Sequence, residues 1–214
     1  MARKRQPSTE QHTLARKPTP TFLPFKRCST VFDCGVWTFS SQLTTFDDVL
    51  GGQNTPMPTF DPGALLSAVS ASGARFYVIG GVVAQVYIPE YATVDLDLLI
   101  ELASLEKLLA ALAPFHPRLL GQTELPPLRY LAQALWHGAV VQIDTDVGQV
   151  DLFSSVPGLG TYPAAKRWVK PLRLFGVKVK GLTPQGLLES KVSVGRAKDR
   201  PIIARLRELL GQAP

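Results

Sequence analysis

The sequence between Phe76 and Glu101, FYVIGGVVAQVYIPEYATVDLDLLIE, holds two apolar runs, and the second carries Asp95 and Asp97 inside it. Carboxylates in an apolar strand are costly unless something neutralises their charge. Residues two apart on a strand project from the same face, so Asp95 and Asp97 share one side while Val94, Leu96 and Leu98 fill the other. A bound divalent cation is the common physical reason for holding two such like charges together. The first run, Phe76 to Ile79, ends at Gly80-Gly81, so the pattern predicts a metal-holding strand edge beside a glycine turn.

A chain of 214 residues suits one domain with appendages or two small domains, and its 45% hydrophobic content supplies a substantial core. No apolar run approaches the ~20 residues of a membrane span. The basic N-terminus is followed by polar and proline-rich sequence rather than an apolar stretch, which does not look like a signal peptide and makes a cytoplasmic protein the expectation. Cys28 and Cys34 are too few for a disulfide framework or a zinc site, and are read as ordinary thiols. Charge is segregated along the chain. Residues 1–27 hold seven Lys/Arg against one acid, residues 28–165 four against thirteen, and residues 166–214 twelve against three. That distribution suits a site where carboxylates bind metal and a basic segment meets phosphates, although a basic tail and a solvated helix face would also produce it.

Residues 1–58 lack periodicity and are rich in Pro, Ser, Thr and Gln, which predicts a disordered or loosely packed extension before a domain over 59–214. Asp61 and Pro62 open a helix that Gly73 stops. Strand Phe76 to Ile79, helix Gly81 to Tyr87 and strand Val94 to Ile100 follow, and then a helix from Ser104 with Leu105, Leu108, Leu109 and Leu112 on its buried face. Residues 117–135 give no clear signal. Strands Ala139 to Asp144 and Gln149 to Phe153 flank a hairpin turn. A helix near Pro163 to Trp168, a strand near Val177 to Val179, a Thr183-capped helix and a last helix after Pro201 complete the order. This predicts an α+β fold, a mixed sheet flanked by helices with a helical C-terminal part.

Asp151 lies between Val150 and Leu152 in the later strand, and its apolar flanks single it out from Asp144 and Asp146. Three carboxylates converging from adjacent strands are what two-metal phosphoryl or nucleotidyl transfer requires, because bridging acids must reach ions ~3.5–4 Å apart. Backbone amides at a glycine turn can approach phosphate oxygens without a side chain in the way. Gly80-Gly81 alone would equally be a tight turn, and a dinucleotide-binding motif fails because Gln85 stands near the place of its third glycine.

These residues resemble the nucleotidyltransferases with the DNA polymerase beta fold. The likeness rests on the turn Gly80-Gly81, the pair Asp95-Leu96-Asp97 and the later Asp151, in that order. It is closer to the small prokaryotic branch that includes abortive-infection toxins. There the acid pair follows Arg-x-Thr-x, and Thr93 is kept while Tyr91 stands where the branch often has arginine. Leu188-Glu189-Ser190-Lys191 and Gly195-Arg196-Ala197-Lys198-Asp199 match its C-terminal motif, so the likeness covers about residues 62–210. The resemblance implies two magnesium ions on Asp95 and Asp97, with Asp151 completing the site and helping to activate an acceptor hydroxyl. It implies Gly80, Gly81 and Thr93 beside a nucleoside triphosphate, and Lys191 on a phosphate oxygen supported by Arg196 or Lys198.

The expected activity is transfer of a nucleoside monophosphate to a hydroxyl of tRNA, protein or a small molecule, in a toxin–antitoxin or phage-defence setting. The basic C-terminal part favours an RNA acceptor. The rival is a catalytically degenerate module that binds nucleotide, nucleic acid or a cognate antitoxin or other partner protein. Lys191 equally suits a helix lysine reaching solvent, and Asp199 a local pair with Arg196 or Arg200. His116 and His137 lack partners at ligand spacing and are read as structural or exposed. Trp136, Trp168 and Tyr162 are read as core or rim residues, with base stacking as the alternative.

Overall fold

The computed structural model describes residues 60–212, so the expected extension over 1–58, with Cys28 and Cys34, lies outside the described residues. Helix α1 (Pro62–Ala71) starts on Asp61, whose carboxylate accepts a 2.9 Å bond from the Ala64 amide. Strand β1 (Phe76–Val78) runs into α2 (Gly80–Tyr87), and β2 (Asp95–Ile100) precedes α3 (Leu105–Leu112). Then come β3 (Arg118–Leu119), α4 (Leu128–Trp136), β4 (Val141–Thr145), β5 (Gly148–Phe153) and the small pair β6 (Ser155–Val156) and β7 (Gly160–Thr161). The hairpin of β8 (Val169–Leu174) and β9 (Val177–Leu182) leads to α5 (Pro184–Val194) and α6 (Arg200–Leu209).

Seven strands form one sheet in the order β3-β4-β5-β2-β1-β9-β8. Strand β2 pairs in parallel with β5 and antiparallel with β1, and β1 pairs in parallel with β9, so the sheet is mixed as the sequence predicts. Its two faces differ in kind. Register places Leu96 beside Val150, Leu98 beside Leu152 and Val78 beside Leu98, all fully buried, and this dry face carries the core. Burying such side chains contributes about 1.5–3 kcal/mol each. The opposite face of the same strands carries Asp95, Asp97 and Asp151.

Several expectations shift by a residue or two, and some change in substance. Val94 lies outside the strand and is 76% exposed, because β2 begins at Asp95. Trp136, expected at the core or rim, is equally exposed at the end of α4. The segment before Trp168 is a 3-10 turn, Ala164–Trp168, rather than an α-helix. Leu109 is only partly buried, unlike its neighbours Leu105, Leu108 and Leu112. Strand β8 had no counterpart in the sequence reading. It contains Pro171, which an edge strand tolerates since one side of it has no partner to receive an N–H.

Helix α5 carries the C-terminal motif, and its start is set by Thr183, whose hydroxyl accepts a 3.1 Å bond from the Gly186 amide. Replacing Thr183 by Ala removes that cap and is expected to cost about 1 kcal/mol, a fall of roughly 2–4 °C in Tm for a domain of this size. An unchanged melting curve would show that the cap does not hold the helix start.

Candidate functional site

Parallel pairing of β2 with β5 sets Asp97 directly beside Asp151, and Asp95 beside Gln149. Asp95, Asp97 and Asp151 each offer a carboxylate oxygen within 4.8 Å of the others. Asp144 and Asp146 do not join them. They form an ion-pair cluster with Arg118, at 2.6 and 3.2 Å, and with His116, 2.6 Å from Asp146. His116 is therefore an exposed residue, as expected, and it has a carboxylate partner in Asp146.

The glycine turn has a steric task. Gly80 has φ of +64°, and a Cβ there would overlap the Asp97 carboxylate, so only glycine lets Asp97 lie across the start of α2. The Gly81 amide points at Asp97 Oδ2 from 3.4 Å, and a Cβ on Gly81 would collide with the Thr93 side chain. Thr93 in turn donates a 2.6 Å bond to Asp95 Oδ1. The pair of glycines and the threonine thus hold the acid pair in place.

Asp151 is held from the other side. Gln142 Nε2 donates to its Oδ2 at 3.1 Å and Gln149 Nε2 to its Oδ1 at 2.7 Å. Neither glutamine figured in the sequence reading. Gln149 lies two residues before Asp151 on the same strand face, and Gln142 sits opposite Asp151 once the turn after Thr145 sets the hairpin register.

Electrostatics record the strain of this grouping. Burial, and then the charges of Asp95 and Asp151, push Asp97 up to about 6, against the opposing pull of the Gly81 amide and Lys191. Burial also raises Asp151, partly offset by its bonds from Gln149 and Gln142, while Asp95 adds to the rise.

The cations come from α5 and the turn after it. Lys191 is buried, with Nζ 3.0 Å from Asp199 Oδ1, while Arg196 Nε lies 2.9 Å from Asp199 Oδ2. Burial alone would raise Asp199, but the bonds and charges of Arg196 and Lys191 outweigh it and hold its carboxyl low. Asp199 therefore pairs with Lys191 as well as with Arg196, a partner the sequence reading did not name for it. Tyr91 is kept a neutral phenol by burial and by the charges of Asp199, Asp95 and Asp97.

The acids and the cations of α5 and the turn after it border one cavity of about 540 Å³, which Gln149 does not line. It is lined by Gly80, Gly81, Tyr91, Thr93, the three aspartates and Gln142, and by Lys191, Arg196, Lys198 and Asp199. Every expected site residue is brought to this one place. The volume lies in the range of sites for small organic ligands. Three carboxylate oxygens form a hard donor set suited to magnesium, manganese or calcium rather than to soft metals. Among known proteins, no family model matches this chain and no characterised protein matches its sequence.

The shift of Asp97 has a measurable consequence. A carboxyl whose folded value is raised favours the fold fully below its usual 3.8 and loses that contribution as pH climbs through about 6. Asp97→Asn removes the penalty. In chelator at pH 7 the variant is expected to be more stable than the wild type by on the order of 2–3 kcal/mol, with the gap closing at pH 4. Added magnesium or manganese should raise the wild-type Tm and leave the variant's nearly unchanged. A variant less stable at pH 7, in denaturant titrations with EDTA, would contradict the electrostatic account of the site.

Proposed function

We propose that the protein is a divalent-cation-dependent nucleotidyltransferase, moving a nucleoside monophosphate from a nucleoside triphosphate to a hydroxyl. The observation that carries this is the meeting of three aspartates from neighbouring strands in a cavity that also receives Lys191, Arg196 and Lys198. Carboxylates to hold cations and bases to hold phosphates in one cavity answer both charge requirements of a metal-bound triphosphate.

Asp95 and Asp97 would hold the cations, with Asp151 as the third donor. Bound cations supply charge neutralisation at the triphosphate and lower the pKa of a nearby hydroxyl. Lys191 is positioned by Asp199 with donors of its ammonium left over, and Arg196 uses Nε for Asp199 and keeps its two terminal nitrogens for a phosphate. Thr93 keeps Asp95 oriented, and the glutamine pair does the same for Asp151. In the transfer, the acceptor oxygen bonds to the α-phosphorus as the bond to the bridging oxygen of the β-phosphate breaks. Pyrophosphate leaves, and the hydroxyl proton passes to the Asp151 carboxylate. The setting we assign is cytoplasmic, and among the described residues no helix is long and apolar enough to cross a membrane.

Two observations favour a second reading, a nucleotide- or nucleic-acid-binding module that acts through a partner protein such as an antitoxin. Tyr91 brings no charge where the resembling branch often has arginine, and Asp199 engages both Lys191 and Arg196. The readings separate in one experiment. Each α-labelled triphosphate is incubated with magnesium and total cellular RNA or protein. The wild type should label an acceptor and release pyrophosphate, and Asp95→Asn should reduce the label by about 100-fold or more. Triphosphate bound tightly with no label transferred would decide for the binding module.

A further inference from the structure

The edge of the sheet farthest from β3 is basic, and its charge is unspent. On β8 and β9, Arg173, Lys178 and Lys180 are exposed, and among the described residues no carboxylate pairs with any of them. Arg173 lies directly opposite Lys178 in the antiparallel register. Like charges opposite each other destabilise a hairpin. Lys180 follows Lys178 at two-residue spacing, about 6.6 Å along the same side of the strand. A row of cations kept together at such a cost, with no acid between them, is shaped for a polyanion.

Register shows which side of the sheet they occupy. Val78 pairs with Gly181, so the alternate residues Lys178 and Lys180 share the side of Tyr77, and Tyr77 pairs with Leu99 on the side of Asp95 and Asp97. The cations and the aspartates therefore face the same way. Strand β9 is two strands from β2, about 10 Å across the sheet. At the hairpin tip Phe175 is 54% exposed with φ of +48°, a conformation that is an outlier for an aromatic residue and is usually filled by Gly or Asn in such turns. Its Cβ lies close to Gly63 of α1, and the exposed part of the side chain, beside cations in the hairpin, offers a stacking face for a base.

From these placements we infer that the aspartate-side face of the β8–β9 hairpin is a docking track for the phosphate backbone of single-stranded RNA. Arg173, Lys178 and Lys180 contact successive phosphates and Phe175 stacks on a base. That the bound RNA is also the hydroxyl acceptor rests on the transferase reading; the track itself does not. Cations at two-residue spacing along β9, a third across from them on β8 and an aromatic tip suit a chain of phosphates and bases better than the irregular carboxylates of an acidic protein.

The test uses the full chain and a fluorescently labelled single-stranded RNA, with anisotropy followed over a range of salt and no triphosphate present. In the triple variant R173Q/K178Q/K180Q, affinity at low salt should fall at least about 10-fold. The slope of log K against log salt should flatten by about 2, three phosphate contacts at roughly 0.7 each. The variant should melt at or above the wild-type temperature, because the Arg173–Lys178 repulsion is gone. Unchanged affinity and slope in the folded variant overturn the track. Polyglutamate binding as tightly as RNA of equal charge, with the same loss in the variant, overturns the RNA assignment in favour of an acidic protein. RNA bound by the wild type with no label transferred sinks the transferase reading and leaves the track standing. Transfer to a small hydroxyl compound by a protein that binds no RNA sinks the track alone.

Discussion

Asp97 and Asp151 stand side by side across the β2–β5 pair, and their burial beside the charge of Asp95 sets the terms for everything around them. Neighbouring carboxylates on adjacent strands are held at a distance where both resist ionisation. From the backbone, the Gly81 amide gives Asp97 a partial answer at 3.4 Å. Relief comes from small local devices: a glycine that leaves room for Asp97, a threonine hydroxyl on Asp95, two amide side chains on Asp151 and the charge of Lys191 nearby. Each holds a carboxylate in position without neutralising it fully. A purely structural polar cluster would be expected to close its charge with salt bridges; none of the three aspartates has one among the described residues, and all three line the cavity.

The basic part of the site is built on the opposite plan. Lys191 is buried and would be costly alone, yet Asp199 answers it at 3.0 Å and is itself answered by Arg196. The triad carries one net positive charge, and removing Asp199 would leave a buried lysine without its partner. Segregation of charge along the chain thus becomes segregation within one cavity. Acids from β2 and β5 meet bases from α5 and the turn after it, and the two sets come together only because the last third of the chain folds back over the sheet.

How far this was legible in the sequence depends on which contacts are local. The acid pair, the glycine turn, the cap at Asp61 and the cap at Thr183 depend on residues a few positions apart, and all four could be read from spacing. Gln142 lay within reach too, since a hairpin turn at Thr145 to Gly148 places it opposite Asp151. The adjacency of Asp97 and Asp151 was of another kind. It joins residues more than fifty positions apart in a parallel pair, and no local pattern encodes which strand β2 will choose. Strand β8 was hidden by Pro171 and by an irregular burial pattern, both permitted at a sheet edge and misleading in isolation. Helix α4 was hidden because only Leu131 and Leu135 are buried along it, too thin an apolar stripe to stand out.

Tyr91 stands where the proposed transferase reading expects an arginine, and its surroundings say what a tyrosine can do there. An arginine there would bring a full positive charge beside Asp95 and Asp97. Tyrosine brings none, and three nearby carboxylates and its own burial keep its phenol protonated. A neutral phenol can still donate one hydrogen bond to a phosphate oxygen, so orientation survives the change even though charge does not. On that proposal the positive charge comes instead from Arg196, whose half-exposed side chain reaches the same cavity with its terminal nitrogens uncommitted to Asp199. On the transferase proposal, phosphate binding would therefore lean on the C-terminal segment more than on the loop before β2.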